Sequence, residues 1–386
     1  MKPSGVKNGT LYSQVPVTKI GDFNVSRGSM ATRVNEDGFI ETVGYTVGGE
    51  LVTNGDFATD SDWTKQSGWS ISGGSANCDG TQSGGTAIYQ SAIQQNKNYK
   101  ITFSVTDISS GGVGVVNSPK RTSIGTYTYY HYTTSSDSNI YVNADANFVG
   151  SIDNVSVIEF AGNDVPRIDY TGGGCPVLLT EPQSTNERLY SENFSVDYSL
   201  TRAIVYSDYA FDDGSGTYLM SPDGTSNATI FQDDSSGGNS SSQLFKSASV
   251  DVLSTYTFSV FVKKGFNDYI ALRTASYTTP VNGQSYFNLD LGTLISEGGG
   301  HTARIEDYGN GWYRCSVTFT TDAADTTGNC MLRHSKDGTT STVPIDGTNS
   351  VRVWGWQFEK KDYATSYIPT VGVASTRLGD VVNGAG

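Results

Sequence analysis

The chain has 386 residues, enough for two or three domains of common size, and a formal charge of −14 from 25 basic and 39 acidic residues. A protein this acidic repels phosphate backbones, which argues against general nucleic-acid binding. With 36% hydrophobic and 11% aromatic residues it can fill a core, so highly charged disorder is excluded. The 45 glycines, 23 tyrosines and low charge content are typical of short strands joined by tight turns, and we expect an all-β protein.

The first 50 residues read as short extended pieces with no helical periodicity. Thr10–Pro16, Phe23–Arg27 and Gly38–Val43 are the clearest of them. Pieces of this size cannot fold alone, so we expect residues 1–50 to form an extended arm that packs on the main body. No apolar run approaches the roughly 18 residues of a transmembrane helix, and no apolar signal-peptide core follows Met1. We therefore expect synthesis in a cytoplasm and no membrane insertion.

Residues 51–160 and 161–386 contain two versions of one pattern. The alternating strand Tyr99–Val105 has a counterpart in Tyr256–Val262, and the closing strand Ile152–Glu159 has one in Val351–Glu359. The apolar residues of the first closing strand break strict alternation, which predicts a β-bulge near Asp153–Asn154. Short strands separated by Gly, Asn, Asp and Ser favour β-sandwiches over βαβ units.

The second version carries three tryptophans in predicted strands. Trp354 and Trp356 are two residues apart, so strand alternation places both on one face, with Gly355 allowing a close neighbour. Core packing is the simplest interpretation for these two and for Trp312, because each ring would bury a large apolar area.

The ends of the first version resemble those of a known class of module. Leu51–Phe57 at the start and Ile152–Val157 at the end are similar to carbohydrate-binding modules of the galactose-binding-like jelly roll. The resemblance covers about 110 residues and implies two antiparallel sheets, often with a structural calcium. A second, longer resemblance covers about 270 residues, through four motifs that occur in the order found in phage tail-fibre and head-fibre proteins: Phe23–Glu41, Val165–Asn186, Asp307–Cys315 and Trp354–Thr370.

The phage resemblance implies an arrangement of domains and partners. In relatives the first two motifs run close together, so the 51–160 module looks like an insertion into a framework made of 1–50 and 161–386. The fold expected is therefore two jelly-roll-like antiparallel β-sandwiches plus an N-terminal extended arm. The family implies other virion proteins as partners and a homo-oligomer, with a trimer favoured.

The best binding candidate in the sequence is the run Tyr127–Tyr132. Alternation places Tyr127 and Tyr129 on one face and Tyr130 and Tyr132 on the other, and only one face can be core. Exposed rings in a row suit sugar rings, whose axial C–H groups stack on aromatic faces. Three interpretations stay open: a glycan-binding strip, a subunit interface, or ordinary half-exposed sandwich tyrosines. In the first case Trp63 and Trp69, in the loop-rich start of the same module, would extend the platform.

Metal and catalytic signals are weak. Asp60 and Asp62 offer the hard oxygen ligands that Ca²⁺ prefers, yet they match no EF-hand loop and also read as solvated turn residues. No cofactor is expected beyond such a calcium. No G-x-S-x-G, P-loop or zinc-binding histidine pair is present, so we expect a non-enzyme.

These observations lead to one functional expectation and two rivals. The chain is expected to be a fibre or capsid decoration on a virion surface, assembled in the host cytoplasm, that adheres to host or environmental glycans. One rival is a purely structural virion component whose aromatic faces bind capsid or fibre partners. The other is a polysaccharide depolymerase.

Overall fold

The computed structural model describes residues 23–383 apart from 117, 119, 134–137, 174, 208–219, 226 and 281, together with the backbone of 3–7 and 10–13. The described chain consists of antiparallel strands, and its one helical element is a 3-10 turn at Thr171–Gly173. The prediction of an all-β protein is confirmed. Among the described residues, no helix has the length and apolar character needed to span a membrane.

Two compact units make up the chain. The small unit is Thr42–Asn163, and the large unit combines Met1–Glu41 with Asp164–Gly386. The short strand Tyr45–Val47, which the sequence analysis placed in the N-terminal arm, pairs with the end of Val149–Ala161 and belongs to the small unit.

The small unit is a sandwich of two antiparallel sheets around one hydrophobic core. Its six-stranded sheet contains, in spatial order, Gly125–Tyr132, Asn98–Ser110, Val149–Ala161, Ser75–Cys78 and Trp69–Ser72, with Tyr45–Val47 added on Val149–Ala161. Its four-stranded sheet contains Val113–Val115, Asn139–Ala144, Thr86–Ser91 and Thr64–Lys65.

The large unit is a sandwich of two six-stranded antiparallel sheets, named sheet A and sheet B here, with a core of aromatic and branched side chains between them. Its long strands alternate between the two sheets along the chain. Sheet A contains Ser199–Thr201, Gln243–Ser249, Thr327–Ser335, Tyr269–Ala275, Gln284–Asn288 and Thr293–Ser296. Sheet B contains Ala203–Ser207, Thr229–Asp233, Ser350–Glu359, Thr255–Lys264, Trp312–Thr320 and Thr302–Asp307.

Short strands complete the large unit. A four-stranded sheet joins the two ends of the chain and contains Pro3–Lys7, Thr10–Ser13, Phe23–Ser26 and Val381–Asn383. The remaining strands form pairs: Arg167–Asp169 with Val177–Leu179, Ser184–Asn186 with Ser375–Arg377, Asn239–Ser240 with Val343–Pro344, and Thr32–Val34 with Ile40–Thr42. Most N-terminal strands therefore pair with one another, and within the large unit Phe23–Ser26 links them to the C-terminal strand Val381–Asn383.

The two sandwiches repeat one local design at the start of their central strands. In the small unit the hydroxyl of Tyr99 accepts a hydrogen bond of 2.8 Å from the backbone N–H of Gln94. In the large unit the hydroxyl of Tyr256 accepts one of 2.8 Å from the N–H of Asp251, also five residues earlier. Both tyrosines are buried, so each hydroxyl satisfies a backbone donor at the sandwich edge.

The closing strands also match, because each carries a bulge at the equivalent point. In the small unit the register shifts between Thr102 and Ser104, and Asn154 adopts a positive φ of 52°. In the large unit it shifts between Ser259 and Phe261, and Gly355 adopts a φ of 63°. The bulge predicted near Asp153–Asn154 is confirmed, and the repeat extends to this detail.

The second bulge overturns the prediction for the tryptophans. Trp354 packs with Phe261 and Tyr367 in a separate cluster, whereas Trp356 lies in the sandwich core. The bulge inserts one residue and reverses the alternation, so the two rings occupy opposite faces of sheet B. Burial itself is confirmed, since Trp354 is 1% exposed, Trp356 0% and Trp312 1%.

A buried ionic cluster joins the N-terminal and C-terminal parts of the large unit. Asp380 accepts a hydrogen bond of 2.6 Å from Arg27 Nη1 and also binds Arg167 Nη2, and all three side chains are fully buried. Arg167 reaches Glu181 at 2.8 Å, and Arg377 lies 3.4 Å from the same carboxylate. Each carboxylate therefore faces two guanidinium groups in a buried site, where their mutual attraction is strong.

Candidate functional site

Half of the predicted tyrosine strip belongs to the core of the small unit. Tyr127 is 1% exposed, its ring centroid lies 5.6 Å from that of Phe103, and its hydroxyl is 2.6 Å from Ser123 Oγ. Tyr129 is partly buried against the same core. Tyr127 and Tyr129 are thus removed from the candidate glycan-binding residues, because they point between the sheets.

The other half of the strip faces outward, but it is not a continuous platform. Tyr132 is 54% exposed. Tyr130 is half-buried, and its ring centroid lies 4.7 Å from that of Phe160 at an angle of 57°. One open ring and one covered ring remain, which is less aromatic surface than the alternation alone predicts.

Trp63 and Trp69 do not form part of a surface platform either. Trp63 is 6% exposed, packs against Phe57 at a centroid distance of 5.2 Å with the rings tilted by 46°, and donates from Nε1 to the carbonyl of Asn54 at 2.9 Å. Trp69 is 7% exposed and lies 6.0 Å from Phe148. The loop-rich sequence around them hides two core residues, whose large apolar area stabilises the sandwich.

The two weak calcium candidates are engaged in other contacts. The carboxylate of Asp60 forms an ion pair with Lys65. Asp62 accepts a hydrogen bond of 2.5 Å from Ser61 Oγ and has a positive φ of 67°. Within the described part of the chain, no group of three or more His, Cys, Asp and Glu side chains is arranged to hold a metal ion.

A pair of tyrosines lies on the outer face of the four-stranded sheet of the small unit. Tyr89 and Tyr141 sit directly opposite each other on adjacent strands, with ring centroids 5.0 Å apart and planes inclined by 34°. Both rings are half-buried on the outer face, because their strand neighbours Ile88 and Val142 point into the core. Asn139 Nδ2 donates to the hydroxyl of Tyr141 at 3.0 Å, which orients that ring.

An open groove of about 350 Å³ runs beside Tyr141 and is called the Tyr141 groove here. Polar groups line it, among them Gln66, Asn143, Lys120 and Asp145. Lys120 extends across the sheet and donates from Nζ to the carbonyl of Asn143 at 2.6 Å. The groove therefore combines an aromatic face with an amide, an ammonium and a carboxylate.

The electrostatics of Lys120 follow from this position. Lys120 is exposed as a residue, but its ammonium group lies 2.6 Å from the carbonyl of Asn143 and is partly desolvated. This desolvation lowers the pKa of Lys120 to about 8, against an opposing effect from the nearby charge of Asp145. A partly desolvated ammonium is a strong hydrogen-bond donor towards a hydroxyl or carboxylate that enters the groove.

The sequence analysis did not single out Tyr89 or Tyr141. Each lies in an alternating segment, Thr86–Ser91 and Asn139–Ala144, so its outward direction could have been predicted. Their pairing could not, because residues 52 positions apart meet only through the fold. The tyrosine-rich run Tyr127–Tyr132 was the more conspicuous signal, and it belongs to the other sheet.

Comparisons with known proteins find only distant structural similarities. No family model matches the chain, and no curated protein matches it. A carbohydrate-binding module of the β-sandwich superfamily aligns with 78% of this chain and 99% of its own, at 10% identity and a TM-score of 0.27. A xanthan lyase from Paenibacillus aligns with 91% of this chain and 28% of its own, at 10% identity and a TM-score of 0.23.

A third similarity is equally distant. The extracellular domain of ANXUR1 from Arabidopsis thaliana aligns with 88% of this chain and 97% of its own, at 8% identity and a TM-score of 0.22. At these scores the similarities carry no argument about function. The class that the architecture defines is an all-β protein of two antiparallel sandwiches.

Proposed function

We propose that this protein is a non-enzymatic, glycan-binding component of a phage virion surface and that the Tyr141 groove holds the sugar. The observation that carries the proposal is the pairing of Tyr89 and Tyr141 at 5.0 Å beside a groove lined by Lys120, Asp145 and Gln66. Aromatic faces with a few convergent polar groups are the usual composition of small-ligand sites.

The chemistry of each lining group suits a sugar ring. The half-buried ring of Tyr141 offers an apolar face to axial C–H groups, and Asn139 holds its hydroxyl in place. Asp145 can accept hydrogen bonds from vicinal hydroxyls, while Lys120 can donate one. A neutral sugar can satisfy both charged groups at once without bringing a charge of its own into the groove.

The same composition favours binding over hydrolysis. Glycoside hydrolysis uses two carboxyl groups about 5–9.5 Å apart across the scissile bond. Asp145 is the single carboxylate among the described residues that line the groove. This supports a module that retains a glycan without cleaving it.

The virion setting rests on the four sequence motifs at Phe23–Glu41, Val165–Asn186, Asp307–Cys315 and Trp354–Thr370. Binding through one shallow groove is weak. A homo-oligomer, with a trimer favoured, displayed in many copies on a particle would raise it by effective concentration. The partners are then other virion proteins and host or environmental glycans, and assembly takes place in the host cytoplasm.

A glycan array probed with the full chain tests the binding site. Replacing Tyr141 by Ala should lower the affinity for every positive glycan at least about tenfold, because the stacking face is lost. Tyr141→Phe keeps the face and should retain most of the binding. Tyr132→Ala is the matched control, since it removes an equally large ring from the other sheet of the same unit.

Each outcome discriminates between the hypotheses. A lack of binding to every glycan on the array would refute glycan binding and favour the purely structural role. Loss of binding in Tyr132→Ala but not in Tyr141→Ala would move the site to the other sheet. Release of oligosaccharides from a bound polysaccharide would show a depolymerase. Immunogold labelling of purified particles tests the virion setting, and an unlabelled particle would refute it.

A further inference from the structure

The outer face of sheet A carries two arginines on adjacent strands. Arg333 lies opposite Ala271, and Arg273 lies opposite Met331, so the two arginines are diagonal neighbours on one face. Side chains at such positions are about 7–8 Å apart at their bases and can reach one another. Gln284 lies directly opposite Arg273 on the next strand.

Arg333 is held in place by neutral groups. It is 8% exposed, and its Nε and Nη2 donate to Gln243 Oε1 at 2.9 and 2.6 Å. Nη1 donates to Gln284 Oε1 at 3.2 Å and lies 3.4 Å from Ser341 Oγ. Burial, together with the neighbouring charge of Arg273, lowers the pKa of Arg333 to about 10.

Arg273 is the more accessible of the two. Its Nη2 donates to Asn282 Oδ1 at 2.8 Å, while its Nε is enclosed by protein without an acceptor in the described chain. Neither Arg273 nor Arg333 forms an ion pair with a carboxylate of the described residues. In a protein of net charge −14, this site therefore concentrates two positive charges that no carboxylate of the described residues pairs with.

We propose that the Arg273–Arg333 site binds the carboxylate groups of an acidic polysaccharide. The guanidinium of Arg273 presents a planar fork of donors that matches a carboxylate in two parallel hydrogen bonds, while Arg333, whose three nitrogens already bind neighbouring side chains, adds its charge. Tyr286, opposite Ala271 on the same face, places a half-buried ring next to the arginines, where the sugar ring bearing the carboxylate can pack. This site lies in the large unit and does not depend on the Tyr141 groove.

Isothermal titration of the full chain with polygalacturonate, at low ionic strength, tests the proposal. Arg273→Gln should weaken binding about tenfold or more, since one charged pair of hydrogen bonds is lost. Arg273→Lys keeps the charge but loses the fork and should weaken binding severalfold. Arg304→Gln is the matched control, because it removes the same charge from an exposed position on sheet B and should leave binding unchanged.

Several results would overturn the proposal. The first is a lack of binding to polygalacturonate, and the second is an equal weakening of binding by Arg304→Gln. The third is binding of poly-glutamate as tight as that of polygalacturonate, because this would indicate a site for an acidic peptide or for any polyanion. Tyr141→Ala should leave this titration unchanged, so a failure here is distinct from a failure of the groove. Circular dichroism and urea unfolding identify a variant that does not fold. If Arg273→Gln does not fold, the affinity of Arg273→Lys relative to the wild type tests the proposal instead.

Discussion

Replacing Asp380 by Asn should cost the large unit a substantial part of its stability. Asp380 accepts charged hydrogen bonds from Arg27 and Arg167 and a third, of 3.0 Å, from the backbone N–H of Glu181. The amide keeps one acceptor oxygen, but it removes the negative charge and turns an N–H group towards a guanidinium. Arg27 and Arg167 then each lose the negative charge of Asp380, and both guanidinium groups are buried.

The expected magnitude follows from the contacts. Each charge-assisted hydrogen bond contributes about 1.5–3 kcal/mol, which gives about 3–6 kcal/mol for the two arginines. Part of this is retained because Arg27 also donates to the carbonyl of Val165 at 3.2 Å and Arg167 still faces Glu181 at 2.8 Å. We expect a loss of about 3–5 kcal/mol, the range found when one partner of a buried pair is removed.

Urea unfolding followed by tryptophan fluorescence measures the loss, in the transition that belongs to the large unit. Asp251→Asn is the control, because Asp251 pairs with Lys360 at 2.8 Å on the surface, with side chains 71% and 51% exposed, and should leave that transition in place. An Asp380→Asn transition that coincides with the wild-type one would refute the reasoning that buried charge needs a buried counter-charge here.

Three further predictions concern the bulges, the histidines and the core. Gly355→Asn should lower the free energy of unfolding by more than about 2 kcal/mol, because at a φ of 63° a Cβ would lie 2.8 Å from Phe261. Asn154→Gly should be neutral in the same urea unfolding experiment, and equal effects of the two substitutions would contradict the steric argument at Gly355. Burial lowers the pKa of His301 and of His334 to about 4, so the unfolded chain takes up protons first and stability should fall as the pH drops from about 6.5 towards 4. His301→Gln should flatten that slope, and an unchanged slope in denaturant titrations at several pH values would show that His301 does not contribute. Trp69→Ala should destabilise the small unit by about 3–5 kcal/mol, because Trp69 is 7% exposed in its core. A melting temperature equal to that of the wild type would show that the Trp69 ring does not contribute to this core.

Strand positions and the repeat could be predicted from the sequence because alternation is a local property. The predicted strands Tyr99–Val105 and Tyr256–Val262 lie inside the observed Asn98–Ser110 and Thr255–Lys264. The bulge at Asn154 was visible because an apolar residue fell out of step with its neighbours. The bulge at Gly355 left no such sign in the sequence. Trp354 and Trp356 are both apolar and two residues apart, whether they lie on one face of the strand or on opposite faces.

The candidate sites were largely beyond prediction because they depend on which strands meet. Alternation says that Tyr130 and Tyr132 point away from Tyr127 and Tyr129, and this holds. It does not say that Phe160 covers Tyr130. Likewise the Arg273–Arg333 site joins residues sixty positions apart, and an arginine in a strand gives no sign of whether a carboxylate will face it.

The pairing of Ala161 with Tyr45 has a consequence for the evolution of the chain. Paired residues of antiparallel strands are only about 4.5–5.5 Å apart, so the small unit begins and ends at nearly one point. A gene segment encoding such a unit can be exchanged by recombination without changing the gap that the surrounding chain must bridge. Residues 42–163 can then vary in sequence and length without altering the ends that the large unit has to accommodate.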